Sequence, residues 1–536
     1  MSTTRIIQAH AQTISGMDST KPPHLVPGTQ WTNSSGFRSY YSKVQQFGLF
    51  TQGLGFNPFP NIQRIIPIPT GFRTEVHPVM LTSAAIYRLD YTLINGGGTP
   101  TVIGSPGCIC NATDRIAATL YNNNIWFCSP DTKLRWCDGT QVGTYETEVP
   151  SARYIDNFFD HIVVANCTLS GIRQPWTFRF SDLYNPGVWT PTDTNEADFY
   201  DVVSWQRDYS IIAGITGAGK INDRYFVYTD SCIVGVNYVG LPKVFQVAPA
   251  WLDYGNAFIN GLVVSKDAHF FFDGYHQNFF IFDGANRPTP IGDPILGFFL
   301  NNITLNFTST DTTQELLGFT MPERSEAWWV FKSNDGVSFW AIVYNWKSNE
   351  WTKLRLPSMF QGVGGGGTVA KTVSELGATA VNALTGEVGS LSATDVKFFR
   401  HFTSAGFRFR EEQSSDAIAT LQSTSESPTL ETKDFYDDLQ REIEIDRFCI
   451  HADYVASAGI AVYVSARQSL QDPVVYKKVG TWTKETRQGI ITFASIRARV
   501  LRYKFEFLKP TGITVPARGC VFYNYTDNLF DIKAEQ

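Results

Sequence analysis

"YFVYTDSCIVGVNYVGLPKVFQVAPA", from Tyr225 to Ala250, reads as two β-strands separated by a short turn, and it carries almost no charge. An apolar hairpin this bare needs a cover, because large exposed apolar patches on soluble proteins usually mark an interaction surface. The identity of that cover decides what kind of protein this is.

The text on either side repeats the same pattern. From about residue 78 to 360 short apolar runs alternate with turn residues. "AAIYRLDYTLI" precedes Gly96–Gly98, and "RIAATLY" turns at Asn122–Asn124 into "IWFCS". "NFFDHIVVANC" leads to "WTFRFS", and "NFFIFDG" and "EAWWVFKSNDGVSFWAIVYNW" follow further on. Asp-Gly recurs at Asp138, Asp273, Asp283 and Asp335, and this dipeptide supplies the positive φ angles of tight hairpins. Strands come three or four to a cluster, and the clusters recur roughly every 40 to 50 residues, the spacing of propeller blades. A plain series of β-sandwiches stays open, because the repeats are divergent.

These patterns predict an all-β chain in three parts. Residues 1–75, rich in Pro, Gly, Ser and Thr, read as an extended N-terminal arm lying on other structure. Residues 76–410 read as a β-propeller. Residues 411–536 read as a linker and a C-terminal antiparallel, β-sandwich-like domain. In "RVLRYKFEFL" Leu501, Tyr503, Phe505 and Phe507 share one face, with Arg502, Lys504 and Glu506 on the other, as in a half-buried strand. "SDAIATLQST", Ser415–Thr424, is the single weak helical candidate.

Composition narrows the function. Of the 536 residues 14% are aromatic and 18% charged, against about 25% charged in typical soluble domains. That balance suits a large core, with or without surface destined for partner subunits. A net charge of −6 argues against a protein built to grip nucleic acid by phosphate neutralisation. The opening residues lack the apolar core of a signal peptide, and no run approaches a membrane span. The eight cysteines, Cys108 and Cys110 among them, include no C-x-x-C and read as buried reduced thiols. The sequons at Asn302 and Asn306 read as chance.

Three motifs invite a chemical reading. "GITGAGKI", Gly214–Ile221, satisfies G-x-x-x-x-G-K, yet Ile221 stands where a magnesium-holding hydroxyl belongs and a strand follows in place of a helix. A Gly-rich turn between blades is the better reading. "SNDGVSFW", Ser333–Trp340, approaches the S-x-D-x-G-x-x-W turn of sialidases with its glycine one place early, and Asp335-Gly336 suffices as a hairpin turn. His269 and His276 flank Asp273, where an exposed turn is a better reading than a metal site. Paired carboxylates of a glycosidase cannot be recognised from sequence alone. No catalytic, cofactor or metal residue is assigned.

The opening stretch also carries a resemblance. "RYFVYTDSCIVGVNYVGLPKVFQVAPA", with Tyr238, Gly240, Pro242 and Phe245, resembles a segment of the tail nozzle (tail hub) proteins of short-tailed bacteriophages, the packaged-DNA stabilisation proteins and their tail tubular relatives. "GLVVSKDAHFFFDGYHQNFFIFDGANRPTPIGDPILGFF" is similar to that family's following blade at Phe271, Gly274, Phe282, Gly284, Pro290, Ile291 and Gly292. "FWAIVYNWKSNEWTKLRL" resembles a later strand-turn-strand, and "GTWTKETRQG" with "RVLRYKFEF" resembles the closing β domain. About half the chain is covered, and the first 75 residues match nothing in the family.

The resemblance implies a structural virion protein without catalysis or cofactor, made in the host cytoplasm. It would form a ring, usually of six copies, below portal and adaptor. The ring would extend the DNA channel, retain the packaged genome and anchor fibres or spikes during ejection. An acidic subunit would let duplex DNA slide without binding it. The competing readings are a carbohydrate-active or carbohydrate-binding propeller and a soluble interaction scaffold.

Overall fold

A computed structural model describes residues 5–8, most of 16–88, 101–303, 316–370, 396–412 and 428–508, and residues 520–526, with short breaks inside these ranges. Among the described residues strands dominate and form seven four-stranded antiparallel blades, six of them meanders of consecutive strands. Each blade's first strand is its innermost.

The blades start at Ile62–Pro69, Ala117–Tyr121, Ser151–Phe158, Gly217–Ile221, Val263–Val264, Leu316–Met321 and Phe360–Ala370. From blade two to blade seven each first strand touches the next, and the seventh touches the first; blade one meets blade two through the latter's second strand, Asn124–Ser129. The circle therefore closes. The chain is an all-β propeller.

Closure uses an element far away in sequence. Blade seven takes three strands from Phe360–Ala370, Val396–Ser404 and Phe407–Glu412, and its outer strand is Leu49–Gln52. The segment read as an arm thus supplies one blade strand, and at Ile62–Pro69 a second. Upstream, Asn33–Ser35 pairs in parallel with Glu350–Leu356, the outer strand of blade six, and antiparallel with Thr429–Glu431. Blade six and the C-terminal domain become one continuous nine-stranded sheet that ends at Lys477–Trp482. A second sheet of Arg5–Gln8, Cys520–Thr526, Ile443–Ala452 and Ile490–Ala498 lies against it. Phe448 of one sheet packs on Tyr503 and Phe505 of the other, with ring centroids 5.1 and 5.5 Å away. The C-terminal domain is a sandwich.

The opening stretch forms three strands, Arg224–Tyr228, Cys232–Tyr238 and Phe245–Leu252, where two were expected. The third contains Pro249, which an edge strand tolerates because one side of its backbone needs no ladder bond. Its cover comes from within the chain. Tyr225, Val227, Val234 and Phe245 pack on Phe158, Val163, Phe178 and Phe180 of blade three. On the opposite face Phe226, Tyr228 and Ile233 pack on Phe271, Phe280 and Phe282 of blade five. Adjacent residues of a strand face opposite ways, so an uninterrupted apolar run is what a blade between two blades requires.

The helical candidate at Ser415–Thr424 lies outside the described residues. Among the described residues the α-helix is α1, Asp293–Asn302. Pro294 in its first turn and Asp293 at its positive end are start signals that the interrupting Gly297 hides. Its Ile295 and Phe299 are buried against blades five and six.

Candidate functional site

The inner strands of blades three, four and five converge on an open cavity of about 690 Å³ lined by Asp156, Lys220, Asn222, Asp223, Val264, Ser265 and Lys266. Each polar residue arrives by blade geometry. Asp156 lies near the end of blade three's first strand, Lys220 sits on blade four's first strand, and Asn222–Asp223 is the turn after it.

Lys220 Nζ lies 3.1 Å from Asp156 Oδ1 and 2.9 Å from the Asn157 carbonyl oxygen. Thr119 donates to the same Asp156 oxygen at 3.2 Å. Burial holds the Asp156 carboxyl above its ordinary range, while Lys220 and the hydrogen bonds pull it back. Two acids and two bases line the cavity, so it is locally neutral. This arrangement joins blade three to blade four, and a lysine inside a Gly-rich strand was its only sequence signal.

"GITGAGKI" accordingly contains an inner blade strand, and its lysine serves a carboxylate and a backbone carbonyl in place of a phosphate. "SNDGVSFW" is the hairpin between Glu326–Lys332 and Phe339–Asn345. There Gly336 takes φ +70°, and Asp335 Oδ1 accepts the N–H groups of Val337 and Ser338, both at 2.8 Å. These contacts hold the Asp335 carboxyl down to about 2. Asp138 and Asp283 cap their turns in the same way, beside Gly139 and Gly284 at positive φ. At Asp273 the turn is longer, and the positive φ falls on Gln277.

One of the two histidines lies in an exposed turn as expected: His276 is exposed and bonds Asp273 Oδ1 at 3.1 Å. His269 is fully buried, 2.8 Å from Tyr228 Oη and 3.1 Å from the Lys220 carbonyl oxygen. A carbonyl only accepts, so His269 Nε2 carries the proton and Nδ1 accepts from the tyrosine. Burial pushes this imidazole down to about 3, which keeps it neutral. Among the described residues no group of three or more His, Cys, Asp or Glu side chains is arranged to hold a metal. Cys108, Cys128, Cys137, Cys167 and Cys232 are buried thiols. Asn302 ends α1 and donates to the Phe298 carbonyl, and Asn306 lies outside the described residues.

Two ionic clusters escaped the sequence reading. Arg38, in the segment read as an arm, meets Glu326 of blade six at 3.3 Å with both side chains buried. Asp434 binds Arg502 through both oxygens, at 2.7 and 3.0 Å, and also pairs with Arg467. A charged residue inside a strand such as "EAWWVF" hints at a buried partner but cannot name it.

No protein-family model matches this chain, and no curated protein matches it. Solved structures are similar at the level of shape. YCF48 bound to D1 peptide has 10% identity over 68% of this chain and 99% of its own, with a TM-score of 0.35. AztD from Citrobacter koseri has 9% identity over 54% and 75%, TM-score 0.27. An exo-β-1,3-galactanase from Phanerochaete chrysosporium has 9% identity over 89% and 100%, TM-score 0.25. Likeness this distant carries no argument about substrate or partner.

Proposed function

We propose that this chain is a non-catalytic structural subunit of a short-tailed phage virion, a tail nozzle or hub protein. Copies would form a ring, six by the family pattern, below portal and adaptor. That ring would extend the DNA channel, help to retain the genome and carry fibres or spikes. The observation that carries the reading is the fate of the charged groups. Asp156, Lys220, Asp273, Asp335, His269 and Asp434 all hold turns, blades or domains together, in a chain whose fourth and fifth blades resemble nozzle segments. The arm strand Asn33–Ser35, paired with both blade six and the sandwich, points the same way. Electron microscopy of the native particle tests the proposal: density for this propeller is expected in a ring under the portal. Virions that lack the chain by mass spectrometry would overturn it.

One observation favours a carbohydrate-active reading. Asp156, with its carboxyl raised, and the exposed Asp223 line the same cavity, and glycosidases pair a protonated with an ionised carboxyl. Hydrolysis of chromogenic glycosides by the wild type and its loss in Asp156→Asn would establish that alternative. No hydrolysis is expected, because Lys220 occupies Asp156.

A further inference from the structure

We propose that the outer strand of blade three and the last strand of the sandwich are the two halves of a head-to-tail contact between copies of this chain. The inference rests on the ring reading above and names the surface that would build the ring.

Position comes first. Asp198–Asp201 ends the sheet of blade three, and Lys477–Trp482 ends the nine-stranded sheet. Blades three and six are three places apart in a circle of seven, so the edge of blade three and the root of the sandwich lie on nearly opposite sides of the circle, with the last sandwich strand five strands beyond blade six. A contact between different patches on opposite sides is heterologous, and it closes into a ring when the rotation allows.

The chemistry of the two edges is complementary. The blade-three strand reads "DFYD", with Phe199 45% exposed between Asp198 and Asp201, and Val203 exposed just beyond. Six acids and one base lie between Ser181 and Asp208, and Arg179 and Lys243 lie over the Phe199 and Tyr200 rings, so acids remain in excess at this edge. Asp198 and Asp201 each accept a nearby backbone N–H, from Phe199 and Val203, which fixes the carboxylates at the rim. The sandwich edge presents Val475, 70% exposed, with Val474, followed by the exposed Lys477 and Lys478. Apolar groups can meet apolar groups, and carboxylates can meet ammonium groups.

Edge strands invite pairing, and proteins blunt them with proline, brevity or charge. Blade four's outer strand carries Pro249, and blade five's is the two-residue Thr289–Pro290. The blade-three and sandwich edges have no proline in their strands. Their guard is charge, which repels an identical edge and attracts the opposite one. That pattern disfavours a symmetric dimer and selects the head-to-tail contact.

Charge reversal tests the contact. In sedimentation velocity the wild-type chain is expected to form a closed species of several copies that weakens as salt rises. Asp198→Lys with Asp201→Lys, or Lys477→Glu with Lys478→Glu, should each lower association at least ten-fold with an unchanged melting temperature. Mixing the two variants should restore assembly, because alternating copies again match at every contact. A wild-type chain that stays monomeric overturns the proposal, as do reversed variants that assemble like the wild type, or a mixture that fails to recover. The nozzle reading fails separately: an assembly that behaves as described but is missing from virions sinks that reading and leaves the contact standing.

Discussion

At the scale of single residues the buried charges have the largest consequences. Asp434 sits between Arg467 and Arg502 and is itself buried. Removing one member of a buried ionic cluster leaves uncompensated charge, at a cost of about 3–5 kcal/mol. Asp434→Ala should therefore lower stability by that order in urea unfolding, and a loss below about 1 kcal/mol would show that water reaches the arginines. His269 gives a second test. Its folded value near 3 lies below the ordinary value of about 6.5. The neutral ring contributes fully above the unfolded value, and its contribution is lost as pH falls from there towards 3. The steepest slope is about 1.4 kcal/mol per pH unit. Asp156 and Asp273, both raised by burial, act in the opposite direction, binding protons more readily when folded in the acidic part of that window. His269→Gln can keep both hydrogen bonds without a titrating ring. Wild type should lose more stability than this variant between pH 6.5 and 5, and equal slopes in the two proteins would refute the assignment.

At the scale of elements the decisive piece is the strand Leu49–Gln52. It completes blade seven by pairing with Phe407–Glu412, and it joins the two ends of the circle as a non-covalent clasp. Deleting residues 1–52 also removes Asn33–Ser35, the strand that welds blade six to the sandwich, and Arg38, the partner of Glu326. Blade seven would then expose an unpaired edge, and Glu326 would be a buried carboxylate without its guanidinium. The truncated chain is expected to melt in more than one step and to aggregate; a single transition at the wild-type temperature would show that the clasp is dispensable. Turns were easier to read than this strand. The Asp-Gly pairs at 138, 283 and 335 carry positive φ at the glycine, because the steric requirement and the side-chain cap are both local. The "DPILGFFLNN" helix was missed, since Gly297 weakens the helical signal that Pro294 and Asp293 start.

At the scale of the whole molecule the prediction concerns DNA. With a net charge of −6 and a cavity whose acids and bases balance, the chain is not expected to neutralise a run of phosphates. Nonspecific duplex binders reach about 10⁻⁴ to 10⁻⁶ M at physiological salt. This chain is expected to bind more weakly than that range, as measured by fluorescence anisotropy with labelled duplex, and micromolar binding with a steep salt slope would contradict a sliding surface. Blades three and five bury both faces of the first two strands of the Tyr225–Ala250 stretch, while Tyr238, Val239 and Leu241 at its second turn are exposed. The case for a ring rests on the resemblance and on the two charged edges.

The sequence by itself determined most strands of residues 76–360, most of the turns, the all-β class and the rejection of "GITGAGKI" as a phosphate loop. Those features depend on neighbours a few residues apart, through side-chain alternation and φ preference. Only the tertiary structure decided that the circle has seven blades, that Leu49–Gln52 closes it, and that Arg38, Lys220 and Asp434 are spent on bonds within the fold. Each of those facts is a pairing between residues tens to hundreds of positions apart, and neither partner's local sequence encodes the other's address.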